Sequence, residues 1–287
     1  MTGLPASQRL DLRKVDISDV LSRVENALQL EVAPDGVIKK RRSIGFRSDR
    51  NTWVRVECRG LERLDGQAWG LEAAQILDRL PLPRWHAGVS WLDDDREVMW
   101  RADETQLVDE APIDKPTNAK GLPDQWWDAL NAALDELASH ETSRVATPDC
   151  APISVDRIET TIRKAFPECT NIMIDEWSTA HADLNWANLT GPALWILDWE
   201  DWGRAPRGLD AANLWFGSLA VPDVAAKVYR GRRQDLDSRA GQVMQLFKCA
   251  ELLAWADDSE PLYAPAQHEA NRLRTLLSER GDEPSHS

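Results

Sequence analysis

The stretch HADLNWAN, from His181 to Asn188, followed by ILDWEDWG, from Ile196 to Gly203, decides the fold of this chain. The first motif carries Asp183 and Asn188 on one short loop, which can present a carboxylate and an amide on the same side. The apolar run LWIL before Asp198 is typical of a buried strand, and its end delivers a second carboxylate. We therefore expect the loop and the strand to bring three polar side chains together.

These side chains suit phosphoryl transfer. Moving a γ-phosphoryl group needs a carboxylate beside the attacking hydroxyl, and oxygen ligands for a Mg²⁺ ion that bridges the phosphates. Asp183 supplies the first carboxylate, while Asn188 and Asp198 supply oxygens for the metal. Asx residues also cap turns, and LWILDW alone fits an ordinary core strand. Neither turn capping nor an ordinary core strand explains the ordered set of His, Asp, Asn and Asp around one strand.

On these motifs the chain resembles the aminoglycoside phosphotransferase and choline kinase-like family, the small-molecule branch of the protein-kinase-like fold. Members read HGDLHxxN, then an apolar strand ending in IDW or IDF, then Asp followed by a small or apolar residue and Ala. This chain reads HADLNWAN, ILDWED and GLDAA. The resemblance implies that Asp183 is catalytic and that Asn188 and Asp198 bind Mg²⁺. It implies that His181 buttresses the loop and that Asp210 braces it through backbone hydrogen bonds.

The fold class that the resemblance implies is α+β. We expect a bilobal protein-kinase-like fold, in which a small N-terminal lobe has an antiparallel β-sheet with a helix and a larger C-terminal lobe is mainly helical. At 287 residues the chain is long enough for two lobes with a substantial core. We place the nucleotide-binding lobe at residues 1–103 and the catalytic and acceptor-binding lobe at residues 104–287.

A hairpin is predicted from strand-like runs at Val37–Phe46 and Thr52–Cys58, after the turn APDG. Its segment SIGFRSDRNTWVRVE resembles the glycine-containing loop with which the family covers the nucleotide phosphates. The backbone amides from Gly45 to Asn51, together with the Ser48 hydroxyl, are then the phosphate donors. A plain hairpin without a ligand explains the same residues, and this alternative stays open.

No lysine lies between Lys40 and Lys115, although the family's strand lysine contacts the α- and β-phosphates. Arg55 is the expected substitute, because the alternation in TWVRVE sets it on the face opposite the valines, and a guanidinium forks well onto phosphate. Arg59 or Arg63 takes this role in another register. A surface arginine without a ligand is an equally open interpretation.

Two further stretches belong to the implied nucleotide site. The helix predicted at Leu71–Leu80 offers Glu72 as the partner of the phosphate-binding cation. The strand predicted at Glu97–Glu104 leads into a connector, whose backbone around Trp100 and Ala102 is implied to hydrogen-bond the adenine. The nucleotide-binding set thus comprises Gly45, Ser48, Arg55, Glu72, Trp100 and Ala102.

Helical periodicity and capping residues predict further helices in both lobes. One is predicted in the N-terminal lobe, at Ile17–Leu30. The helices predicted in the C-terminal lobe are Asp124–Ala138, Ser154–Phe166, Leu209–Leu219, Asp223–Val228, Arg239–Leu253 and Pro265–Ser278. The run IMIDEWSTA predicts a short strand that enters the catalytic loop.

The composition narrows the class of protein. A net charge of −14 argues against nucleic-acid binding, which needs a basic surface. The acidity fits a cationic acceptor drawn to an acidic site, and it fits a role in solubility equally well. The four cysteines lack CxxC spacing and the five histidines form no zinc pattern, so we expect neither a disulfide framework nor a structural metal. Without a membrane-spanning run or a signal-peptide apolar region, we expect a cytoplasmic protein and no membrane partner.

The expected function is ATP- and Mg²⁺-dependent phosphate transfer to a hydroxyl of a small, cationic acceptor such as an amino sugar. Glu200, Asp201 and Trp202 follow the metal ligand and are candidates for acceptor binding. One alternative is a kinase-shaped binding module in a biosynthetic or regulatory assembly, which the missing lysine and Ala182, where the family has glycine, favour. Another is a kinase of peptide serine or threonine. A protein partner is compatible with the sequence but not indicated by it.

Overall fold

The computed structural model describes residues 10–61, 69–148, 151–169 and 172–279, which divide into two compact units. The described residues up to Asp78 and from Leu82 to Asp109 form unit 1. Residues 79–81 and those from Glu110 onward form unit 2. Asp103, where the sequence analysis places the lobe boundary, lies inside a strand of unit 1.

Unit 1 is built on five strands. They are β1 (Val32–Lys39), β2 (Ser43–Ser48), β3 (Thr52–Gly60), β4 (Trp85–Asp93) and β5 (Val98–Gln106). They form an antiparallel sheet in the order β1-β2-β3-β5-β4. Alternation in β3 buries Val54 and Val56 in one core with the apolar face of helix α1 (Ser18–Leu28). The other face of β3 carries its charged side chains, as the sequence predicts.

The predicted strand Val37–Phe46 is wrong, because the chain reverses within it. The turn between β1 and β2 contains the Lys40 amide, which donates to the Ser43 carbonyl at 2.8 Å. All four consecutive cationic residues from Lys39 to Arg42 are exposed around this turn. Burying such a run in a sheet would remove like charges from water without pairing them. The predicted APDG turn lies inside β1, where the register shifts between Val32 and Val37.

The predicted helix Leu71–Leu80 is much shorter than expected. It consists of α2 (Gly70–Ala73) and one 3₁₀ turn, Ala74–Ile76. The following sequence LDRLPLPR contains two prolines, and the residue before a proline disfavours the helical region. The Gln75 side chain instead accepts the Trp85 amide proton at 2.9 Å, which ties this segment to β4.

Arg96 connects α1 to β4 and gives unit 1 a pH-dependent contribution to stability. Its guanidinium donates to Asp19 at 2.8 Å and to Asp93 at 2.7 Å. Hydrogen bonding to Arg96 lowers the pKa of Asp19. Burial acts to raise the pKa of Asp93, but hydrogen bonds from Arg96 and Trp100 outweigh it and lower the pKa.

We expect Arg96→Gln to cost about 1 kcal/mol of unfolding free energy at neutral pH. A carboxylate with a lowered folded-state pKa adds stability above its ordinary value of 3.8 and loses it as the pH falls through the folded-state pKa. The difference between wild type and variant should therefore shrink below about pH 4. Urea unfolding at neutral and acidic pH measures it, and an equal difference at both values would contradict this account.

Unit 2 is mainly helical. Its helices are α3 (Asp124–Ser139), α4 (Val155–Ala165), α5 (Leu209–Gly217), α6 (Pro222–Gly231), α7 (Arg233–Leu236), α8 (Arg239–Leu253) and α9 (Tyr263–Glu279). The mostly buried α8 packs against α4, α5 and α9 and forms the centre of the unit. A two-stranded antiparallel sheet of β6 (Trp177–Ala180) and β7 (Gly203–Pro206) flanks the two motifs in the sequence. The helices predicted at Asp124, Ser154 and Arg239 are confirmed within a residue or two.

The described part of the chain contains no helix with the length and hydropathy needed to cross a lipid bilayer.

Candidate active site

The loop that begins at His181 is held by Asp210, in the first turn of α5. One Asp210 oxygen accepts the His181 amide proton at 2.7 Å, and the other accepts that of Ala182 at 2.9 Å. Burial raises the pKa of Asp210, against the opposing effect of His181 and of these backbone hydrogen bonds. The Asn213 side chain, one turn along α5, donates to the Ala182 carbonyl at 3.0 Å. Helix α5 thus fixes the backbone just before Asp183.

Leu197, the residue before Asp198, connects the two sequence motifs. Its amide donates to the Asn188 carbonyl at 2.8 Å, and its carbonyl lies 2.8 Å from His181 Nε2. Since a carbonyl can only accept, Nε2 is the protonated nitrogen of this buried imidazole. His181 also packs edge to face on Trp199, with ring centroids 4.8 Å apart. Leu197 thus ties the Asn188 backbone and the His181 imidazole to the residue that precedes Asp198.

The strand predicted at Leu194–Leu197 is present only as a short antiparallel pairing with residues 188–190. Around the bridge between Leu189 and Ile196, the Leu197 amide donates to the Asn188 carbonyl and the Thr190 amide donates to the Trp195 carbonyl at 3.2 Å. The Ile196 amide points away from this pairing and donates to the Pro81 carbonyl at 2.7 Å. Ile196 is nevertheless fully buried, so the run is still anchored in the core before Asp198.

The Asp183 carboxylate is oriented by two asparagines. The Asn188 side-chain nitrogen donates to Asp183 Oδ2 at 3.1 Å, and the Asn185 nitrogen donates to Oδ1 at 3.2 Å. Part of the side chain is exposed, but desolvation by the surrounding atoms raises its pKa. Asp198 adds to the rise, which His181 and both asparagines oppose. The loop thus holds an accessible carboxylate in a fixed orientation, beside a second negative charge.

Asn185 and Asn213 are site residues that the sequence analysis did not identify. Asn185 stands inside HADLNWAN, where the family pattern has histidine, and its side-chain oxygen also accepts the Ala187 amide proton at 2.9 Å. Asn213 lies three residues after Asp210, which is the spacing that places two side chains on the same helix face. That spacing was the signal in the sequence.

Asn188 and Asp198 fit a Mg²⁺ ion by the chemistry of their donors. Mg²⁺ prefers oxygen ligands and is usually held by one or two carboxylates together with phosphates and waters. Both hydrogen bonds of the Asn188 side chain use its amide nitrogen, which keeps the amide oxygen for a cation. Among the described residues, no three His, Cys, Asp or Glu side chains form a cluster for a metal. This pair would therefore need nucleotide phosphates and waters as further ligands.

Two residues of the site have left-handed backbone conformations. Ala182 has φ of 73° and Asp198 has φ of 65°. Asp tolerates this region through local hydrogen bonding, whereas a left-handed alanine costs roughly 1–2 kcal/mol. The bonds that Asp210 and Asn213 make to Ala182 hold it there. This explains how alanine replaces the family's glycine at this position.

Of the three acceptor-binding candidates, Trp202 is buried and the structure contradicts its assignment. The Arg144 guanidinium lies 5.6 Å from its ring centroid and donates to its carbonyl at 2.8 Å. Asp201 is also buried, and its carbonyl accepts the Thr147 amide proton at 3.0 Å. Glu200 is half-buried and remains a candidate.

The phosphate loop predicted from Gly45 to Asn51 has the wrong geometry. Gly45 lies within β2, where a Cβ atom would come within 2.3 Å of the Trp53 ring, so glycine is needed for packing. At the turn between β2 and β3, the amides of Arg50 and Thr52 donate to Ser48 Oγ at 3.2 and 3.3 Å. The amides of Asp49 and Asn51 donate to the carbonyls of Glu31 and Ser48, both at 3.0 Å. These four amides donate to acceptors within the protein, so they do not form a binding loop for phosphate.

Glu72 pairs with Arg101, not with Arg55. Arg101 Nη2 lies 2.9 Å from Glu72 and also bonds to Asp103, and Arg101 is nearly buried in β5. Arg55 Nη2 lies 3.6 Å from Glu57 on its own strand. Arg101 is not recognisable as this partner from the sequence, because EVMWRADE also fits a strand that leads into a connector. Arg59 pairs with Glu57 at 2.5 Å, and Arg63 lies outside the described residues.

Trp100 and Ala102 lie in the middle of the sheet, so the predicted connector is wrong here. In β5, Trp100 pairs with a residue of β3 on one side and of β4 on the other, and Ala102 does the same. Both residues are fully buried. Their backbone groups serve the sheet ladders and are unsuited to binding adenine.

No family model and no curated protein matches the chain. A solved structure of the amicoumacin kinase hAmiN, in complex with AMP-PNP, Ca²⁺ and Ami, is 13% identical with a TM-score of 0.56, and the match covers 93% of this chain and 95% of that one.

Two aminoglycoside phosphotransferases give comparable matches. The streptomycin and ATP ternary complex of APH(2")-IIa is 14% identical, with a TM-score of 0.54 over 90% of this chain and 97% of that one. The GDP complex of wild-type aminoglycoside 2'-phosphotransferase-IIIa is 14% identical, with a TM-score of 0.54 over 92% and 98%. At such identities the likeness shows the fold. The chain has the α+β, protein-kinase-like fold of the aminoglycoside phosphotransferases, and the fold predicted from its sequence is confirmed.

Proposed function

We propose that the chain is an ATP- and Mg²⁺-dependent phosphotransferase that acts on a hydroxyl of a small-molecule acceptor. The observation that supports this most is the connection at Leu197, whose amide and carbonyl bind the segments of Asn188 and His181. It ties the segment before Asp198 to the loop that carries Asp183 and Asn188, and these three side chains make up the proposed constellation. A scaffold without catalysis has no need of that constellation.

In this proposal Asp183 orients the acceptor hydroxyl and accepts its proton. Asn188 and Asp198 would hold a Mg²⁺ ion bound with ATP, which would supply neutralisation of charge on the phosphates. Asn185 and Asn188 fix the Asp183 carboxylate, which limits the orientations in which a hydroxyl can approach it. Catalysis by this chain is thus mainly positioning.

For the nucleotide, the solved neighbours were bound to AMP-PNP, ATP or GDP. We propose ATP as the phosphate donor. Arg55 remains our candidate for the cation that contacts the phosphates, without Glu72 as its partner. We propose that the adenine contacts come from residues after β5, because the backbone of β5 is used on both sides.

For the acceptor, we propose a small polyhydroxylated molecule that carries an amine. The neighbours' ligands include streptomycin, and the chain's net charge of −14 favours a cationic partner. The half-buried Glu200, two residues after Asp198, is the candidate for binding its amine.

A second function, that of a kinase-shaped binding module, is favoured by one observation. The turn between β2 and β3 uses its amides internally, so it does not offer a glycine-loop grip on phosphates. Peptide phosphorylation is the other alternative, since acceptor pockets vary independently of the fold.

The test is an acceptor screen that follows ADP formation with Mg²⁺ present and with Mg²⁺ chelated. We expect Mg²⁺-dependent turnover with at least one amino sugar or amino alcohol, at a typical rate of about 1–100 per second. Turnover with serine or threonine peptides, but with no small molecule, would show that the acceptor is a peptide. Absence of nucleotide binding by the wild-type chain would contradict the phosphotransferase and support the binding module.

A further inference from the structure

A groove in unit 2 has no role in the proposed chemistry. It lies between α6 and α9, with the end of α5 as its floor, and its volume is about 470 Å³. The apolar lining includes Leu219, Pro222, Ala226 and Pro265, together with the edge of the buried Trp215. This volume falls within the range of roughly 300–1,000 Å³ that is typical of small-molecule sites. A flat, apolar group of one or two rings fits such a surface.

The rim of the groove is basic, although the chain as a whole is strongly acidic. Arg230, Arg272 and His268 line it, with Glu269 as its acidic residue. Glu269 accepts a hydrogen bond from Arg272 Nε at 2.7 Å, which leaves the terminal nitrogens of that guanidinium for another partner. Arg230 is exposed, and no carboxylate of the described residues pairs with it. The two guanidiniums give the groove a positive charge, against a net charge of −14 for the chain.

The groove is separate from the catalytic loop. Asp210 and Asn213 of α5 bind that loop, whereas Trp215 of the same helix faces the groove. At about 100° per residue, Trp215 lies about 140° around the helix from Asp210 and about 200° from Asn213. The two sites therefore use opposite sides of α5.

We propose that this groove binds a small organic anion in which a flat apolar body carries a carboxylate or a phosphate. The body would lie on Leu219 and Pro265, and the anionic group would be held by Arg230 and Arg272. Guanidinium groups form paired hydrogen bonds with both kinds of anion. This proposal is independent of the proposed phosphotransferase activity, because binding of the anion to the groove is measured without ATP.

The probes are 2-naphthoate, 2-naphthyl phosphate and, as the neutral analogue, 2-naphthylmethanol, titrated into the full chain by calorimetry. We expect one saturable site for at least one of the anions, with an affinity about tenfold above that of the neutral analogue. Preference for naphthoate identifies a carboxylate site, and preference for naphthyl phosphate identifies a phosphate site. No saturable binding of either anion, or equal binding of the neutral analogue, would overturn the proposal.

Three variants locate the site. Arg230→Gln should weaken anion binding about tenfold, and Ala226→Trp, at an exposed position of α6 in the groove, should block it. Arg163→Gln, at an exposed arginine of α4 outside the groove, should bind like wild type. Each variant is compared with wild type by circular dichroism. Wild-type affinity in a folded Ala226→Trp variant would place the anion elsewhere and reject this groove.

Discussion

Replacing Asp183 by alanine should abolish phosphate transfer, with a loss of about 10³-fold in kcat, on the order of several kcal/mol in the barrier. Asp183 is the accessible carboxylate of the loop, and Asn185 and Asn188 orient it. Because transfer depends on this group only in the reaction step, the affinity for MgATP should change little. The measurement is the rate of transfer to an acceptor found by the screen, with nucleotide binding measured beside it.

The same substitution should leave the protein folded. Desolvation and Asp198 raise the pKa of Asp183, so its ionised carboxylate destabilises the folded state. The Asp183 backbone carbonyl still accepts from Asn188 at 2.9 Å and from Asn185 at 3.1 Å. Asp258→Ala, at an exposed turn position, is the matched control and should keep full activity. Full activity in folded Asp183→Ala would remove Asp183 from the mechanism.

Replacing Asp210 by alanine should reduce both stability and activity. The substitution leaves the buried amides of His181 and Ala182 without an acceptor. Each such group costs about 1–3 kcal/mol, and removal of a buried charge offsets part of this, so we expect a loss of about 3 kcal/mol. Urea unfolding monitored by circular dichroism measures the loss. Transfer should fall as well, because the loop that carries Asp183 is released.

Two further variants separate the role of Asp210 from a general effect of removing an acid from a helix start. Asp210→Asn keeps one acceptor oxygen and should lose less stability than the alanine variant. Asp223→Ala, in the exposed first turn of α6, should lose well under 1 kcal/mol. An unfolding midpoint for Asp210→Ala equal to that of Asp223→Ala would show that the loop does not depend on Asp210.

The arrangement of the candidate catalytic loop could be predicted from sequence because its determinants are local. HADLNWAN and ILDWEDWG each place their polar residues within a few positions of one another. Their relative placement therefore depends little on how distant parts of the chain pack. The role of Asn213 was readable in the same way, from its distance to Asp210 along one helix. The fold class followed from the family resemblance that these motifs carry.

The surroundings of the predicted nucleotide-binding residues could not be predicted because they depend on register between distant strands. Glu72 meets Arg101 only because β5 lies between β3 and β4, with its polar face toward α2. Periodicity within EVMWRADE is the same for a central strand as for a strand that ends in a connector. Gly45 is likewise explained by the ring of Trp53 across the sheet, which no local pattern shows. The run of four cationic residues, Lys39–Arg42, was a sequence signal for the turn between β1 and β2 that could have been recognised.

The most direct test of the central claim is the binding of ATP with Mn²⁺ in place of Mg²⁺, measured by electron paramagnetic resonance. If Asn188 and Asp198 hold the metal, wild type should bind Mn²⁺ and ATP tightly when both are present. It should bind either one alone only weakly. Asp198→Asn and Asn188→Ala should then weaken joint binding at least about tenfold, as the loss of a metal ligand does. ATP binding that is independent of the metal, or unchanged in both variants, would contradict the assignment of this site.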